Sequence, residues 1–438
     1  MSSGRKAQAA GKGAAGERGK GVAAQTFRRL LAAAALLAAV LLAAVGLAGP
    51  PARAEDAGEE IRLGYLLSRA AGFSTYDRAG AWMGEEEVNR QAQALGKRFR
   101  VIFAEGGQSS EVVEQARMLI DEQGVRALLS SVSDAATIAL ANLADERGIV
   151  FLNVGSDVDS LRGEKCRKNA FSIGPSLTMH VRALGQWAIQ EKEWKSWAIV
   201  QGDSTGEARL AEAARRYLQA NGGRVAGTVP LDEVNAHEPA KALEALRAIK
   251  ADFVYIALTG EKQELFLEAY QQAGPASPVG GAEPELVRMG RNTRRFAGYW
   301  STGWSHLNEI FGASELNNRF VDFAGIAMNE RAWGAWAGVK ILGEAMLRAP
   351  APDAARLVPY LRESLQFDGY MGDAMDFRPW DHQLRQRMVI VRVNHDPKWN
   401  GWDAFVNEAT VPLRRLKGWK GDPLDSIGFT REESGCRF

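Results

Sequence analysis

The chain is expected to be an α/β protein of two lobes, each a mostly parallel sheet flanked by helices. Two observations predict this. Short apolar runs alternate with stretches of helical periodicity from residue 60 to residue 173, and the alternation then begins again and continues to residue 273. At 438 residues, the chain also exceeds what one hydrophobic core usually covers.

In chain order, residues 1–25 are rich in Gly, Ala, Lys and Arg without apolar periodicity and read as disordered. Phe27-Arg28-Arg29 then leads into an apolar run at 30–48, which closes with GPPARA at 49–54. A basic region, an apolar stretch and a small-x-small end form a secretory signal, so cleavage is expected after Ala54. The apolar run is long enough that an uncleaved membrane anchor is the competing reading. No later stretch resembles a membrane span, and the mature product is expected to be periplasmic.

The first strand of the mature chain is EIRLGYLLS at 60–68, followed by a helix at 76–95 and a strand at 98–104. Gly106-Gly107 breaks the pattern before a helix at 109–122. Residues 125–156 form the clearest βαβ unit: VRALLSS as a buried strand, 134–146 as a helix of small and apolar residues, and GIVFLNVG as a second buried strand. A short strand at 166–173 and GPS at 174–176 end this half.

The second half alternates in the same way. Helix 177–190, strand 196–201, a helix to residue 221, strand 224–229, helix 238–250, strand 251–257 and helix 262–273 follow one another. A Gly/Pro-rich break at 275–284 precedes a strand at 296–301 and a helical stretch at 314–320. Residues 324–345 read as one helix, whose Gly325, Gly334, Gly338 and Gly343 suggest close helix packing. Pro350 and Pro359 bracket a further helical turn or two, RQRMVIVRVN at 385–394 reads as a returning strand, and the remainder, with Trp399, Trp402 and Trp419, as an irregular tail.

Ligands of open parallel sheets collect at the carboxyl ends of strands. Here those ends carry Ser68, Ser130, Ser131, Asn153 and Ser156 in the first half, and Asp203, Ser204, Thr205, Thr259 and Glu261 in the second. Hydroxyls suit a small polar ligand, whose buried polar atoms each need a partner. The run Ser130-Ser131-Val132-Ser133-Asp134 also stands at a helix N-terminus, where free N–H groups favour a carboxylate or another anionic or polar group. The plainer reading is that Ser133 or Asp134 caps the helix. The expected partition gives Ser131 and Ser133 to the ligand and makes Asp134 the cap.

Other chemistries find little support. The 54 basic and 53 acidic residues give a net charge of +1, which provides no steering of nucleic acid. The basic clusters at 291–295 and 414–417 are short and read as solvated surface. No P-loop or HExxH pattern occurs, no GxGxxG follows a strand, and Ser130, Ser131 and Ser133 lack a G-x-S-x-G elbow, so neither an enzyme nor a cofactor is expected. Asp373, Asp376, Asp381 and His382 are weak metal candidates only. Cys166 and Cys436 are the two cysteines; in an oxidising compartment they form either a disulfide tying the last residues to the body or two lone thiols.

IRLGYLLS, LLSSVSDAAT, IVFLNVGSD, NAFSIGPS, WAIVQGDSTGEA and DFVYIALTGEKQELFLEAYQQAG occur in that order. In order and spacing they resemble the type I periplasmic binding proteins of amino-acid and amide uptake, the leucine/isoleucine/valine-binding group, over about residues 61–394. The resemblance implies a two-lobe Venus-flytrap fold with three interlobe crossings. Lobe 1 would comprise 55–173 and 297–375, lobe 2 would comprise 174–296 and 376–394, and 395–438 would be a tail packed on the body.

It also implies one solute in the cleft, an ABC permease as membrane partner, and a monomer. The ligand carboxylate would meet Ser131 and Ser133, with further contacts from Val154, Gly155 and Ser156. The family's aromatic after the lobe-2 strand is missing from Gly202-Asp203-Ser204-Thr205-Gly206, and its acidic ammonium receptor has only Glu261 and Glu283 as candidates. The segments YWSTGWSHLNEIFG and DFRPWDHQLRQ further resemble a subgroup found beside pyrroloquinoline-quinone-dependent alcohol oxidation. Trp300 and Trp304 would then form either an aromatic wall of the cleft or lobe packing. A non-transport ligand sensor or accessory protein with the same fold is the rival to transport.

Overall fold

The computed structural model describes residues 59–69, 74–274, 277–282, 293–349, 353–398, 403–416 and 418–438. The expected signal at 1–54 with its Ala54 cleavage point, both ends of the break at 275–284 (275, 276, Glu283 and 284), Arg291, Pro350, Trp399, Trp402 and Lys417 lie outside the described residues. Among the described residues, no helix is long and apolar enough to cross a membrane.

The first sheet contains β1 (Glu59–Ser68), β2 (Lys97–Gly106), β3 (Ala127–Ser131), β4 (Val150–Asn153) and β5 (Ala170–Ser172), all parallel, in the order β2-β1-β3-β4-β5. Side chains alternate across it, so Leu63, Tyr65 and Leu67 face one core and Leu66 the other. The second core is covered by α2 (Ser109–Asp121) and α3 (Asp134–Arg147), and the first by α1 (Ser74–Ala92) and helices that return later in the chain.

The second sheet is built from β6 (Ser196–Gln201), β7 (Arg224–Pro230), β8 (Phe253–Ala257), β9 (Val279–Ala282), β10 (Tyr299–Thr302), β13 (Met388–Val393) and β14 (Phe405–Val411). Their order is β14-β13-β10-β9-β8-β6-β7, with β13 and β14 antiparallel. Around this sheet lie α4 (Leu177–Gln190), α5 (Thr205–Ala220), α6 (Glu233–Ala236), α7 (Ala240–Ala248) and α8 (Gly260–Gln272). The chain then returns to the first lobe as α9 (Ala313–Ala324), α10 (Glu330–Arg348) and α11 (Ala354–Glu363), followed by a small ribbon of β11 (Phe367–Asp368) and β12 (Ala374–Met375). It therefore passes between the sheets three times: after β5, after β10 and before β13.

Four expectations differ from what is observed. β10 pairs with β9 and β13, so the return to lobe 1 follows Thr302 and does not begin at residue 297. Residues 405–411 form the edge strand β14; its half-exposed Asn407 and Glu408 and exposed Thr410 conceal it in the sequence, because an edge strand needs only one buried face. The single helix expected at 324–345 is two, because Gly325 ends α9 in a left-handed conformation (φ 69°) and the Asn329 side chain caps α10 by accepting from Ala332 N at 3.0 Å. Pro359 lies inside α11 and does not bound it.

The glycines of α10 do mark close packing. Gly334 faces Val154, Gly338 faces Leu129 and Gly343 faces Val88. A close helix-to-helix approach is also made by Gly80 of α1, where a Cβ would lie 2.1 Å from the carbonyl oxygen of Ala332. Gly80→Ala gains about 1 kcal/mol of helix propensity but must move one backbone against the other, which costs about 1–3 kcal/mol. A net loss of stability is expected in urea denaturation; an unchanged or raised midpoint would show that α1 and α10 are not in backbone contact.

Candidate functional site

The candidate site begins where β3 meets α3. The apolar run ALLSS fills a central strand, and Ser133 leaves it in extended geometry (φ −62°, ψ 158°) as the N-cap residue of α3. Ser133, and not Asp134, therefore holds the cap position. Its side chain makes no capping bond and is exposed, so its hydroxyl and the first-turn N–H groups of α3 are open to a ligand.

The residues expected around it are largely engaged within the protein. The Ser131 hydroxyl donates to Asp77 Oδ1 at 2.7 Å, and the Tyr65 hydroxyl lies 3.2 Å from the same oxygen. Burial pushes the Asp77 carboxyl above its ordinary value, against the opposing pull of Arg331 and these two hydroxyls. Ser130 is buried, and its backbone oxygen accepts from the N–H groups of Val154 (2.9 Å) and Gly155 (3.2 Å). The Ser156 N–H donates to Asn153 Oδ1 at 2.9 Å, and its hydroxyl to Asp134 Oδ1 at 2.8 Å. Ser68 ends β1 in register with Gly106.

Arg331, from α10, donates to Gly155 O at 2.6 Å and reaches Asp77 at 3.9 Å. A Cβ on Gly155 would fall 1.8 Å from the Arg331 guanidinium, so a larger residue there would displace that side chain. Asp157 stands exposed beside it; crowding by surrounding protein and the charge of Asp134 both raise its pKa, while His180 and Arg162 oppose them.

Lobe 2 presents a second polar edge centred on Glu207. Ser204 and Glu207 form a reciprocal capping box at the start of α5. The fully buried Glu207 carboxylate also accepts from Thr259 N at 2.9 Å, Thr259 Oγ1 at 3.2 Å and Lys262 Nζ at 2.7 Å, while Lys262 also pairs with Asp203. Burial alone would raise the Glu207 pKa, but Lys262 and the N–H groups of Ser204 and Thr259 outweigh it and hold it below the usual range. Thr205 is the exposed first residue of α5. Glu261 is exposed and has no hydrogen bond or ion pair among the described residues.

The lobes also touch through charge. Arg209 of α5 lies 3.7 Å from Asp134 of α3, and His180 of α4 lies 3.7 Å from Glu330 at the start of α10. Glu330 accepts from Thr302 Oγ1 at 3.2 Å and from Gly303 N. Burial would raise its pKa, yet His180 and these donors hold it lower, so it is a carboxylate at neutral pH.

Two groups of expected residues lie elsewhere. Trp304 is buried in the lobe-1 core, stacked on Trp333 at 5.8 Å with its Nε1 donating to Asn317, because an indole buries more area there than a cleft wall offers; Trp300 is buried in lobe 2. The weak metal candidates face arginines: Asp373 with Arg387, Asp376 with Arg385 and Asp381 with Arg378. The His382 ring stacks between Phe171 and Phe438, and burial lowers its pKa to about 4. Among the described residues, no group of three or more His, Cys, Asp or Glu is placed to hold a metal.

Of the residues missed in the sequence, Glu207 had a local signal, the S-x-x-E spacing from Ser204. Asp77, His180, Arg209, Glu330 and Arg331 had none, since each acquires its partner only through the fold. Replacing Lys262 by Met leaves Glu207 buried without its cation and should cost about 3 kcal/mol at pH 7. Because the folded pKa of Glu207 is depressed, its contribution is present above the unfolded carboxylate value of about 4.3 and is lost as pH falls through the folded value. The difference between wild type and variant should therefore narrow on acidification; a pH-independent difference in denaturation midpoint would refute this account.

Residues 60–398 match the sequence profile of the family described as periplasmic binding protein. No curated protein sequence matches the chain. Among solved structures, it is similar to a branched-chain amino acid ABC transporter periplasmic ligand-binding protein from Burkholderia xenovorans LB400, at 20% identity, 86% of this chain, 99% of that one and a TM-score of 0.76. It is also similar to an amino acid ABC transporter substrate-binding protein from Pseudomonas fluorescens Pf-5, at 16% identity, 87% and 100% coverage and a TM-score of 0.73. A third, an ABC transporter substrate-binding protein from Desulfitobacterium hafniense in complex with Leu, has 18% identity, 80% and 100% coverage and a TM-score of 0.69. At these identities the likeness establishes the two-lobe fold.

Proposed function

Since the chain belongs to the periplasmic binding protein family, which binds and does not catalyse, we propose that it captures one small polar solute between its lobes and delivers it to an ABC permease in the inner membrane. The observation that carries this reading is the pair of facing polar edges: the open N-terminus of α3 with the free Ser133 hydroxyl in lobe 1, and Lys262, Asp203 and Glu261 in lobe 2. Ligand bound to both edges would favour the closed arrangement by its differential affinity for it.

The arrangement suits a zwitterion. Its anionic group would lie at the α3 N-terminus and Ser133, and its cationic group near Glu261. The names of the structural relatives, which concern branched-chain amino acids and leucine, support an amino acid as the first class to test. A narrower proposal, that the solute accompanies pyrroloquinoline-quinone-dependent alcohol oxidation, is supported by the sequence resemblance of two tryptophan-rich segments alone.

Native mass spectrometry of protein recovered from its own periplasm should show a bound small molecule, and calorimetry should then give its affinity. Ser133→Ala should weaken that affinity by about 1 kcal/mol, roughly fivefold, at unchanged melting temperature. Ser131→Ala should instead lower stability, because its hydroxyl serves the buried Asp77. Equal affinity in Ser133→Ala and wild type would remove α3 from the site, and failure of any cleft variant to alter binding would sink the cleft reading.

A further inference from the structure

A second cavity lies in lobe 2, away from the cleft. Its volume is about 690 Å³, and it is a half-open space bordered by α4, the later half of α5, Leu416 and residues of the 418–433 segment. That volume is in the range of small-molecule sites. Tyr217 and Thr205 sit near opposite ends of α5, so the cavity is separated from the cleft edge by roughly 18 Å at 1.5 Å rise per residue.

Three half-buried aromatic residues, Tyr217, Trp419 and Phe429, line it. Trp419 and Phe429 stack on no other ring among the described residues, although the Arg182 guanidinium lies 5.9 Å from the Phe429 ring centre. The Tyr217 ring lies against Gly185, where a Cβ would approach its Cε1 to 2.3 Å, so only glycine lets the ring lie flat on α4. The Tyr217 hydroxyl has no hydrogen-bond partner among the described residues, and burial keeps it protonated, so it remains a donor.

Two guanidiniums border the same space. Arg182 is engaged, donating to Gly428 O and to Glu433 Oε1 at 2.7 Å, and it thereby neutralises the cavity's carboxylate. Arg216 is largely exposed, and its Nε lies 3.9 Å from Glu212, beyond hydrogen-bond reach. The donors left over are Arg216 and the Tyr217 hydroxyl, set beside aromatic faces.

We propose that this cavity is a second ligand site, independent of the solute in the cleft, for a planar aromatic monoanion. The ring lies among Tyr217, Trp419 and Phe429, and the carboxylate faces Arg216 and the Tyr217 hydroxyl. A charge-assisted bond to Arg216 supplies discrimination against neutral and cationic analogues.

The test uses 1-naphthoate as probe with the mature protein, followed by tryptophan fluorescence and calorimetry. Saturable binding at one site is expected. It should weaken about tenfold in Arg216→Gln and about fivefold in Tyr217→Phe, and 1-naphthylmethylamine should bind at least about tenfold more weakly. Ser133→Ala should bind naphthoate as wild type does, which separates this site from the cleft. Absence of saturable binding below about 5 mM, equal binding of the amine, indifference to both cavity substitutions, or loss in Ser133→Ala would each overturn the proposal. Circular dichroism of Arg216→Gln, a surface change, establishes that the variant is folded.

Discussion

The arrangement of the cleft depends on one buried guanidinium. Arg162 is 1% exposed, and its Nε donates to Gln383 Oε1 at 2.7 Å, its Nη1 to Val158 O at 2.9 Å and its Nη2 to Gly174 O at 2.8 Å. Those acceptors belong to the third crossing, the loop behind the lobe-1 edge and the first crossing. Burial pulls its pKa down, but Asp159, Asp157 and Asp381 counter that pull, and an arginine stays charged in any case. A fork of fixed geometry thus sets where the binding edge stands relative to the hinge.

Around that anchor, the two edges are built on different principles. In lobe 1 the hydroxyls of Ser131 and Ser156 serve the carboxylates of Asp77 and Asp134, the buried Ser130 hydroxyl has no hydrogen-bond partner among the described residues, and Ser133 with the α3 terminus stands open. In lobe 2 a single buried carboxylate, Glu207, gathers both loops, with Lys262 as its counter-charge. The buried pair must hold together, because either charge alone in that environment would be costly. The cross-cleft Arg209–Asp134 pair is exposed on both sides and contributes little stability, so it does not lock the lobes against a ligand.

The carboxy-terminal segment joins the same frame. Asp422 and Asp425 pair with Arg385 and Arg378 of the third crossing, and Ile427 is buried in the lobe-2 core. Glu433 pairs with Arg182 of α4, and the Cys166–Cys436 disulfide, with Cα atoms 5.9 Å apart, fastens the end to lobe 1. Phe438 completes the stack over His382 and Phe171. Residues that read as an irregular tail therefore connect both lobes and the hinge, and they also wall the second cavity.

By itself the sequence determined the two αβ halves and most of their elements, because buried parallel strands and amphipathic helices leave periodic apolar patterns. It also showed which strand ends are polar, but Gly325 read as a packing glycine within one helix and the break there appears only in the structure. It did not reveal which of those polar groups remain free. Ser131 and Ser133 are equivalent by spacing, yet one points to the buried Asp77 and the other to open space, a difference decided by the path of α1 across the sheet. Trp304 reads equally as wall or core until α10 brings Trp333 against it. The pairs His180–Glu330 and Arg209–Asp134, the Arg162 hub and the disulfide were decided only by tertiary structure, for one physical reason: hydrogen bonds and charges act over a few ångströms in space, and the chain places their partners far apart in sequence.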